Sequence, residues 1–298
     1  MLTAFDAVLR TGSASAAARD LQLSQGTVSR LIQNLEGQLG RELFLREKKR
    51  LLPTQSAIDF GRDVSTALDL IQRSSMRLSA NLDGGSLALA ILPAFGTRWL
   101  APRLATFVAD NPGITINLST RIQPPDFSSD GFDAAIYFGP ETRSPAHHLK
   151  LFDERLVACA APSLLEQHPI ASPADMRGLQ FFQIETRPSA WRSWFDDQGT
   201  KALDVSGMLF DQFAPMIEAT IAGLGVALLP EYIAESEIAT GRLSPILTKT
   251  VTGTGAYWLA WPSDRAQHKP LIAFRSWLEN EIAAEGEKAP ATAFGQTP

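Results

Sequence analysis

The sequence predicts a multidomain protein: a small helical unit carrying a basic hairpin, one long helix, and a large α/β domain. Three observations predict this. Residues 13–54 place two helix signatures and a charged hairpin in one short stretch, and residues 58–82 carry an apolar seam at heptad spacing. Beyond Gly85, short apolar runs alternate with helical stretches. The length of 298 residues calls for more than one domain, and 45% hydrophobic content is enough to give each a core.

Ser13 to Leu21 reads as a short Ala-rich helix, which Gln22-Leu23-Ser24 breaks. Ser24 then stands at an N-cap, with a hydroxyl able to accept from the free N–H groups of the next turn, and a helix follows from Gln25 to about Leu39. Val28, Leu31, Ile32, Leu35 and Leu39 fall on one stripe of it. The opposite side holds Gln25, Thr27, Ser29, Arg30, Gln33 and Asn34, short or planar hydrogen-bonding side chains with one cation, suited to base edges and phosphates in a major groove. Next, Leu43 to Thr54 sets two apolar runs around a charged tip with Arg46, Lys48, Lys49 and Arg50, the pattern of a wing. A polar helix face alone is commonly a solvated surface. Small-residue helix, short turn, Ser-capped helix and basic hairpin together point to double-stranded DNA.

Charge is distributed accordingly. Residues 1–56 carry a formal balance of +3 and residues 57–298 one of −8, although the chain as a whole is at −5. A single cysteine, Cys159, lies in the apolar run Leu156 to Ala161, which excludes a disulfide framework and a cysteine-based zinc site and reads as a small buried hydrophobe. No signal-peptide pattern opens the chain and no run has the length to span a bilayer, so the expected location is the cytoplasm, with no membrane partner.

From Ile58 to about residue 83 one helix is expected, with Val64, Ile71 and Leu78 recurring every seven residues and Leu68 and Leu82 one turn on. Such a seam requires another helix, either from the same chain or from a second copy, and the second copy is the favoured reading. Asn81 to Gly85 marks a hinge. In the α/β domain, strands are expected at Leu87–Leu92, Ile114–Ser119, Phe132–Phe138, within Leu149–Ala161, at Gly178–Ile184, Met208–Phe210, Val226–Pro230 and Tyr257–Pro262. Helices are expected at Thr97–Ala109, interrupted near its start by Pro102, at Ala190–Asp197, Pro215–Ala222 and Pro270–Ala284. Residues 285–298 have little apolar bulk and read as a disordered tail.

Taken together, the segments Gly12 to Leu21, Ser24 to Ser29, Leu35 to Gly40 and Leu43 to Thr54 resemble those of LysR-type transcriptional regulators, and the resemblance covers nearly the whole chain. In the second domain, Leu92 to Leu104, Gly131 to Ile136 and Ala222 to Pro230 are similar to the branch containing the glycine-cleavage and β-lactamase regulators. The resemblance implies a winged helix-turn-helix over residues 1–57, a dimerising linker helix over 58–83, and an effector domain over 86–284 of periplasmic-binding-protein type. Its lobes would be about 86–140 with 257–284, and about 150–254. It further implies a homotetramer, a dimer of dimers, with promoter DNA and a small-molecule effector as partners and RNA polymerase as a further candidate.

On this reading the DNA-contacting candidates are Ser24, Gln25, Thr27, Ser29, Arg30, Gln33, Arg46, Lys48, Lys49, Arg50 and Thr54. Open α/β lobes bind ligands beyond the carboxyl ends of strands, where helix N-termini offer free N–H groups. Ala94, Phe95 and Thr97 stand after the first strand, at the family's main ligand-contact turn. Thr120 and Gln123 follow the second strand, and Tyr137 and Gly139 end the strand at the crossover. Thr186, Arg187, Gln212 and Phe213 hold analogous positions in the second lobe.

No enzyme is expected: the chain has no nucleophile-elbow, phosphate-loop or His-x-x-x-His pattern, and the adjacent His147-His148 point to different sides of any element and read as surface residues. No cofactor or metal is expected. Two alternatives to a sensing regulator stay open, a two-lobed small-molecule binder without regulatory output and a DNA-coating protein that senses nothing. The second would have little use for so large an α/β domain.

Overall fold

In the computed structural model of the chain, residues 1–47, 50–79, 85–140, 146–201, 205–247 and 250–288 are described. They form two units divided between residues 81 and 82.

The first unit begins with α1 (Leu2–Thr11), α2 (Ala14–Asp20) and α3 (Gln25–Leu39). Ser13 caps α2 by accepting from Ala16 N at 3.1 Å, and Ser24 caps α3 by accepting from Thr27 N at 3.1 Å. Gly12 and Gly40 end α1 and α3 with φ of 71° and 64°, conformations in which a Cβ would be strained. The hairpin follows as β1 (Phe44–Glu47) paired antiparallel with β2 (Arg50–Pro53). Its first strand is fastened to α3 by Glu36 Oε1, which accepts from Leu43 N and Phe44 N at 2.8 and 3.2 Å. Phe5 lies at the centre of the core, between the rings of Phe44 and Phe60. Helix α4 (Gln55–Ser79) can lie against α1 because Gly61 has no side chain: a Cβ there would fall 2.2 Å from Leu9 Cδ2.

Two details of this unit differ from expectation. Leu39, placed on the apolar stripe of α3, is 44% exposed at the helix end, and Val28, Ile32 and Leu35 carry the burial. In α4, Val64 is 4% exposed within the unit's own core and Leu68 packs against that core, so the first part of the seam is satisfied within the chain. Ile71, the next seam position, is 62% exposed, while the side chain of Leu78 and all of Leu82 lie outside the described residues.

In the second unit β3 (Ser86–Ile91) leads into a helix that starts at Pro93, as α5 (Pro93–Phe95), widens to a π-helical stretch over Gly96–Leu100, and continues as α6 (Ala101–Asp110). Pro102 lies directly after the π-helical stretch, where the helix is locally widened, and the helix runs through it instead of being interrupted as expected. There follow β4 (Thr115–Thr120), β5 (Ala134–Gly139), β6 (His147–Ala160), α7 (Pro162–Gln167), β7 (Phe181–Ile184), α8 (Ala190–Asp197), β8 (Leu209–Phe210), α9 (Phe213–Ile221), β9 (Val226–Pro230) and α10 (Glu231–Ala239). The last elements are β10 (Ser244–Pro245), β11 (Val251–Trp261) and α11 (Lys269–Lys288). Helix α11 continues through residues 285–288, which were expected to belong to the tail; residues 289–298 lie outside the described part.

Among the described residues nine strands form one sheet in the order β4-β3-β5-β11-β6-β9-β7-β8, with β10 beside β6. Each end is parallel: β3 lies between β4 and β5, and β7 between β8 and β9. The middle is antiparallel, where β11 and β6 run through both lobes. Their mutual register is lost between Thr252 and Ala256, a bulge at the junction of the lobes. Cys159 is fully buried, and that burial pushes its thiol up to about 12, so it behaves as a small apolar residue. His147 and His148 leave opposite faces of β6: His147 is exposed and stacks on Trp261, whereas His148 is half-buried and shares a 3.1 Å hydrogen bond with Tyr137 Oη. The surface reading thus holds only for His147.

Candidate functional site

Two surfaces have the chemistry of a site, one in each unit. On α3 the residues Gln25, Thr27, Arg30, Gln33 and Asn34 are exposed and Ser29 is half-buried, so the polar side is a continuous face opposite the buried Val28, Ile32 and Leu35. Gly26 lies within that face with nothing but Ser24 Oγ within 4 Å of where a Cβ would be, so a partner can approach the backbone of the first turn closely. Ser24 Oγ and Thr27 Oγ1 are 2.8 Å apart. The Ser24 hydroxyl is thus part of the helix cap as well as the exposed face, and Ser24→Ala should destabilise the first unit by about 1 kcal/mol, read as faster amide exchange in the first turn of α3. Thr54 Oγ1 caps α4 by accepting from Ala57 N at 3.2 Å. Arg46 and Arg50 stand opposite Leu51 and Glu47 in the wing strands; their side chains, and Lys48 and Lys49, lie outside the described residues.

In the second unit, the carboxyl ends of β3 and β7 face one another across a cleft, each at a point where the parallel strand order reverses. A cavity of about 40 Å³ lies there, lined by Leu92, Pro93, Ala94 and Ile122 from one lobe, Ile184, Thr186, Arg187, Asp211, Gln212 and Phe213 from the other, and Tyr232 and Tyr257 at its base. Helix α9 begins at the cavity wall, and its N-cap residue Gln212 makes no capping bond, so its amide is free to meet a ligand beside the first N–H groups of the helix.

Of the sequence-derived candidates, Ala94, Thr186, Arg187, Gln212 and Phe213 come together here, and the others do not. Phe95 is fully buried and stacks on Trp99 and Tyr257. Because the helix starts at Pro93, Thr97 lies a full turn inside it, and its hydroxyl donates back to Pro93 O and Ala94 O at 3.1 and 3.3 Å. Thr120 and Gln123 are exposed outside the lining, where Ile122 stands instead. Tyr137 is buried in the sheet, and Gly139 O accepts from Trp258 Nε1 at 3.0 Å.

Arg187 has a structural part that the sequence did not disclose. Its side chain is buried, with Nη2 2.8 Å from Glu154 Oε1, Nε 3.1 Å from the same oxygen, and its guanidinium 3.6 Å above the Phe138 ring. Tyr257 Oη accepts from Arg187 Nη2 at 3.2 Å and from Tyr232 Oη at 3.3 Å, and donates to Glu154 Oε1 at 3.0 Å. Burial above all raises the pKa of both phenols, so they remain protonated donors. The bulge of β11 makes room for this network: a Cβ at Gly253 would lie 2.7 Å from Glu154 Oε2, and one at Gly255 2.6 Å from Phe138 Cζ. Gly253 and Gly255 are the sequence signal for it, two glycines inside an otherwise apolar and β-branched strand.

A helix-turn-helix with a free polar recognition face, joined to a two-lobed α/β unit with a cleft at its switch points, defines a DNA-binding regulator that responds to a small molecule. Residues 1–57 match the family described as bacterial regulatory helix-turn-helix protein, lysR family, and residues 80–283 match the LysR substrate binding domain. The glycine cleavage system transcriptional activator of Escherichia coli K12 is 31% identical over 289 residues, which is 96% of this chain and 94% of that protein. The transcriptional activator AmpR of Rhodobacter capsulatus is 32% identical over 282 residues, 95% of this chain and 96% of that one. Among solved structures, the effector domain of AmpR from Pseudomonas aeruginosa superposes with a TM-score of 0.63 at 31% identity, covering 68% of this chain and 98% of that one. The chain belongs to the LysR family of transcriptional regulators, with a DNA-binding domain followed by an effector-binding domain.

Proposed function

We propose that the chain recognises a specific operator through Gln25, Thr27, Ser29, Arg30 and Gln33 of α3, docks on phosphates through Arg46, Lys48, Lys49 and Arg50 of the wing with Ser24 and Thr54 at the helix starts, and changes regulation when a small metabolite occupies the cleft of the second unit. The observation that carries the DNA reading is the polar face of α3, on which Gln25, Thr27, Arg30, Gln33 and Asn34 are exposed. Selection of binding sequences from random DNA by the full chain should return one motif, and Gln25→Ala with Arg30→Ala should reduce discrimination within it by roughly 1 to 3 kcal/mol for each base that is no longer read. The paired change Lys49→Ala and Arg50→Ala should instead weaken binding to every sequence and lower the salt slope by about two units. Equal weakening on motif and random DNA for the α3 variant would remove its base-reading role.

The effector cleft offers the Thr186 hydroxyl, the Asp211 carboxylate, the Gln212 amide and the start of α9, set between apolar walls from Leu92, Pro93, Ile122 and Phe213. These features suit the hydrogen-bonding head of a small, partly apolar metabolite, for which the space of about 40 Å³ would have to widen as the lobes move. Gln212→Leu should abolish the effector-dependent change in transcription of the operator's gene while the DNA footprint persists; an unchanged dose response would exclude the cleft as the sensing site. The reading includes a homo-oligomer, a dimer of dimers paired through α4, a cytoplasmic location beside the DNA it binds, contact with RNA polymerase at the promoter, and no catalytic role. Among the described residues no helix is long and apolar enough to cross a membrane, and no group of three acidic, His or Cys residues is placed to hold a metal ion.

A further inference from the structure

The second unit holds a further cavity, larger than the cleft. On the other side of Tyr232 and Tyr257, which wall both spaces, lies a half-open cavity of about 220 Å³ bordered by β6, the start of α10, β11 and the end of α11. An apolar protein cavity of about 150 Å³ is enough to admit benzene, so this one has room for a monocyclic molecule with a short side chain. Its walls are aromatic: Trp99, Phe152, Tyr232 and Tyr257, with Ile282 closing one side.

Its charge is mainly negative, with Arg155 as a cation in the lining. Glu231, Glu235 and Glu285 line it together. Glu231 has a partner, Arg155 Nε at 3.1 Å, and Glu285 has two, Arg103 and the indole N–H of Trp99. Arg103 also reaches towards Glu281, and its guanidinium lies 4.6 Å above the Trp99 ring. Glu235, exposed on the rim, makes no ion pair among the described residues. Partial desolvation, then the like charges of Glu231 and Glu285, hold its carboxyl above the ordinary value, against the attraction of Arg103 and Arg155. Aromatic faces beside an unmatched carboxylate favour an organic cation and disfavour an anion of the same shape.

We propose that this cavity is a second small-molecule site, separate from the cleft, which takes a monocyclic amine with its ring among Trp99, Phe152 and Tyr232 and its ammonium on Glu235. The site does not rest on the cleft being the effector site. An ammonium there supplies the counter-charge that Glu235 lacks, and the ring fills space bounded by apolar atoms.

The test is calorimetric titration of the full-length protein with phenethylammonium, and with 2-phenylethanol and phenylacetate as neutral and anionic shape controls. Phenethylammonium should bind saturably at one per chain, and each control at least about tenfold more weakly. Glu235→Gln, a rim substitution that leaves the core untouched, should weaken the amine by roughly tenfold and leave the alcohol unchanged. Ile282→Trp, which fills the cavity, should abolish binding, and Gln212→Trp, which fills the cleft, should leave it intact. Absence of saturable binding, an alcohol that binds as well as the amine, or no effect of Glu235→Gln would each overturn the proposal. Loss of amine binding in Gln212→Trp would place the amine in the cleft and overturn it equally. If Ile282→Trp does not fold, the Glu235→Gln and alcohol comparisons still decide.

Discussion

Arg187→Met should destabilise the second unit by about 3 to 5 kcal/mol, among the largest losses available from a single substitution in this chain. Glu154 is the reason. Its side chain has no solvent exposure, and its Oε1 accepts two bonds from Arg187 and one from Tyr257, so removal of the guanidinium leaves a carboxylate buried with one neutral donor. The double variant Glu154→Leu with Arg187→Met should recover most of the loss, because what costs is the unmatched charge rather than the missing bridge. All six tryptophans, Trp99, Trp191, Trp194, Trp258, Trp261 and Trp277, lie in the second unit, so urea unfolding followed by tryptophan fluorescence isolates this unit from the DNA-binding one. A loss under 1 kcal/mol for Arg187→Met would mean that water reaches Glu154. It would also free Arg187 to be read as a ligand-facing cation.

Ile71→Asp should break the proposed dimer. Val64 and Leu68 are occupied by the core of their own unit, so pairing between copies has to begin further along α4, and Ile71 is the first seam residue left 62% exposed. A carboxylate buried unpaired in that seam costs several kcal/mol, and about 3 kcal/mol corresponds to a dimer weakened by roughly a hundredfold. Sedimentation should show the loss of the dimer at micromolar concentrations, with DNA affinity falling in parallel as two half-sites cease to be bound together. Ile71→Leu should keep the dimer. An unchanged sedimentation profile for Ile71→Asp would show that α4 does not pair with its copy.

What the sequence discloses and what it does not divide along a physical line. Local signals are legible: the Ser13 and Ser24 caps, the stripe of Val28, Ile32 and Leu35, and the apolar runs that become β3, β9 and β11 are each fixed by residues within a few positions of one another. The seam at Val64 is buried as its spacing predicts, yet which chain covers it depends on Phe5, Leu9 and Phe60 and on the gap left by Gly61, and no heptad spacing contains that information. In the cleft, positions just beyond strand ends, such as Thr186 and Gln212, are reachable by counting. Thr97 is displaced from its expected role because Pro93, not Thr97, begins the helix, which turns an expected free hydroxyl into one bonded to its own backbone. Tyr232, Tyr257 and Glu154 are out of reach, since they meet only through pairing of β6 with β9 and β11. Helix α10, which supplies Tyr232 and Glu235, follows directly on the buried β9, with Pro230 ending the strand and standing at the N-cap of the helix.

Strands β6 and β11 pass through both lobes, and this limits what an effector can do mechanically. Lobes joined by flexible loops can swing apart like a clamshell, but here the two strands are hydrogen-bonded on either side of the junction and cannot lengthen. The place with slack is the bulge between Thr252 and Ala256, where ladder bonds are absent and Gly253 and Gly255 carry no side chains to jam. Any closure of the cleft would therefore be a torsion about a short two-stranded axle. A ligand of modest size in the proposed cleft, held by one lobe at Thr186 and the other at Ala94, would set the angle of twist, and a small turn at the axle would be magnified at the far helices.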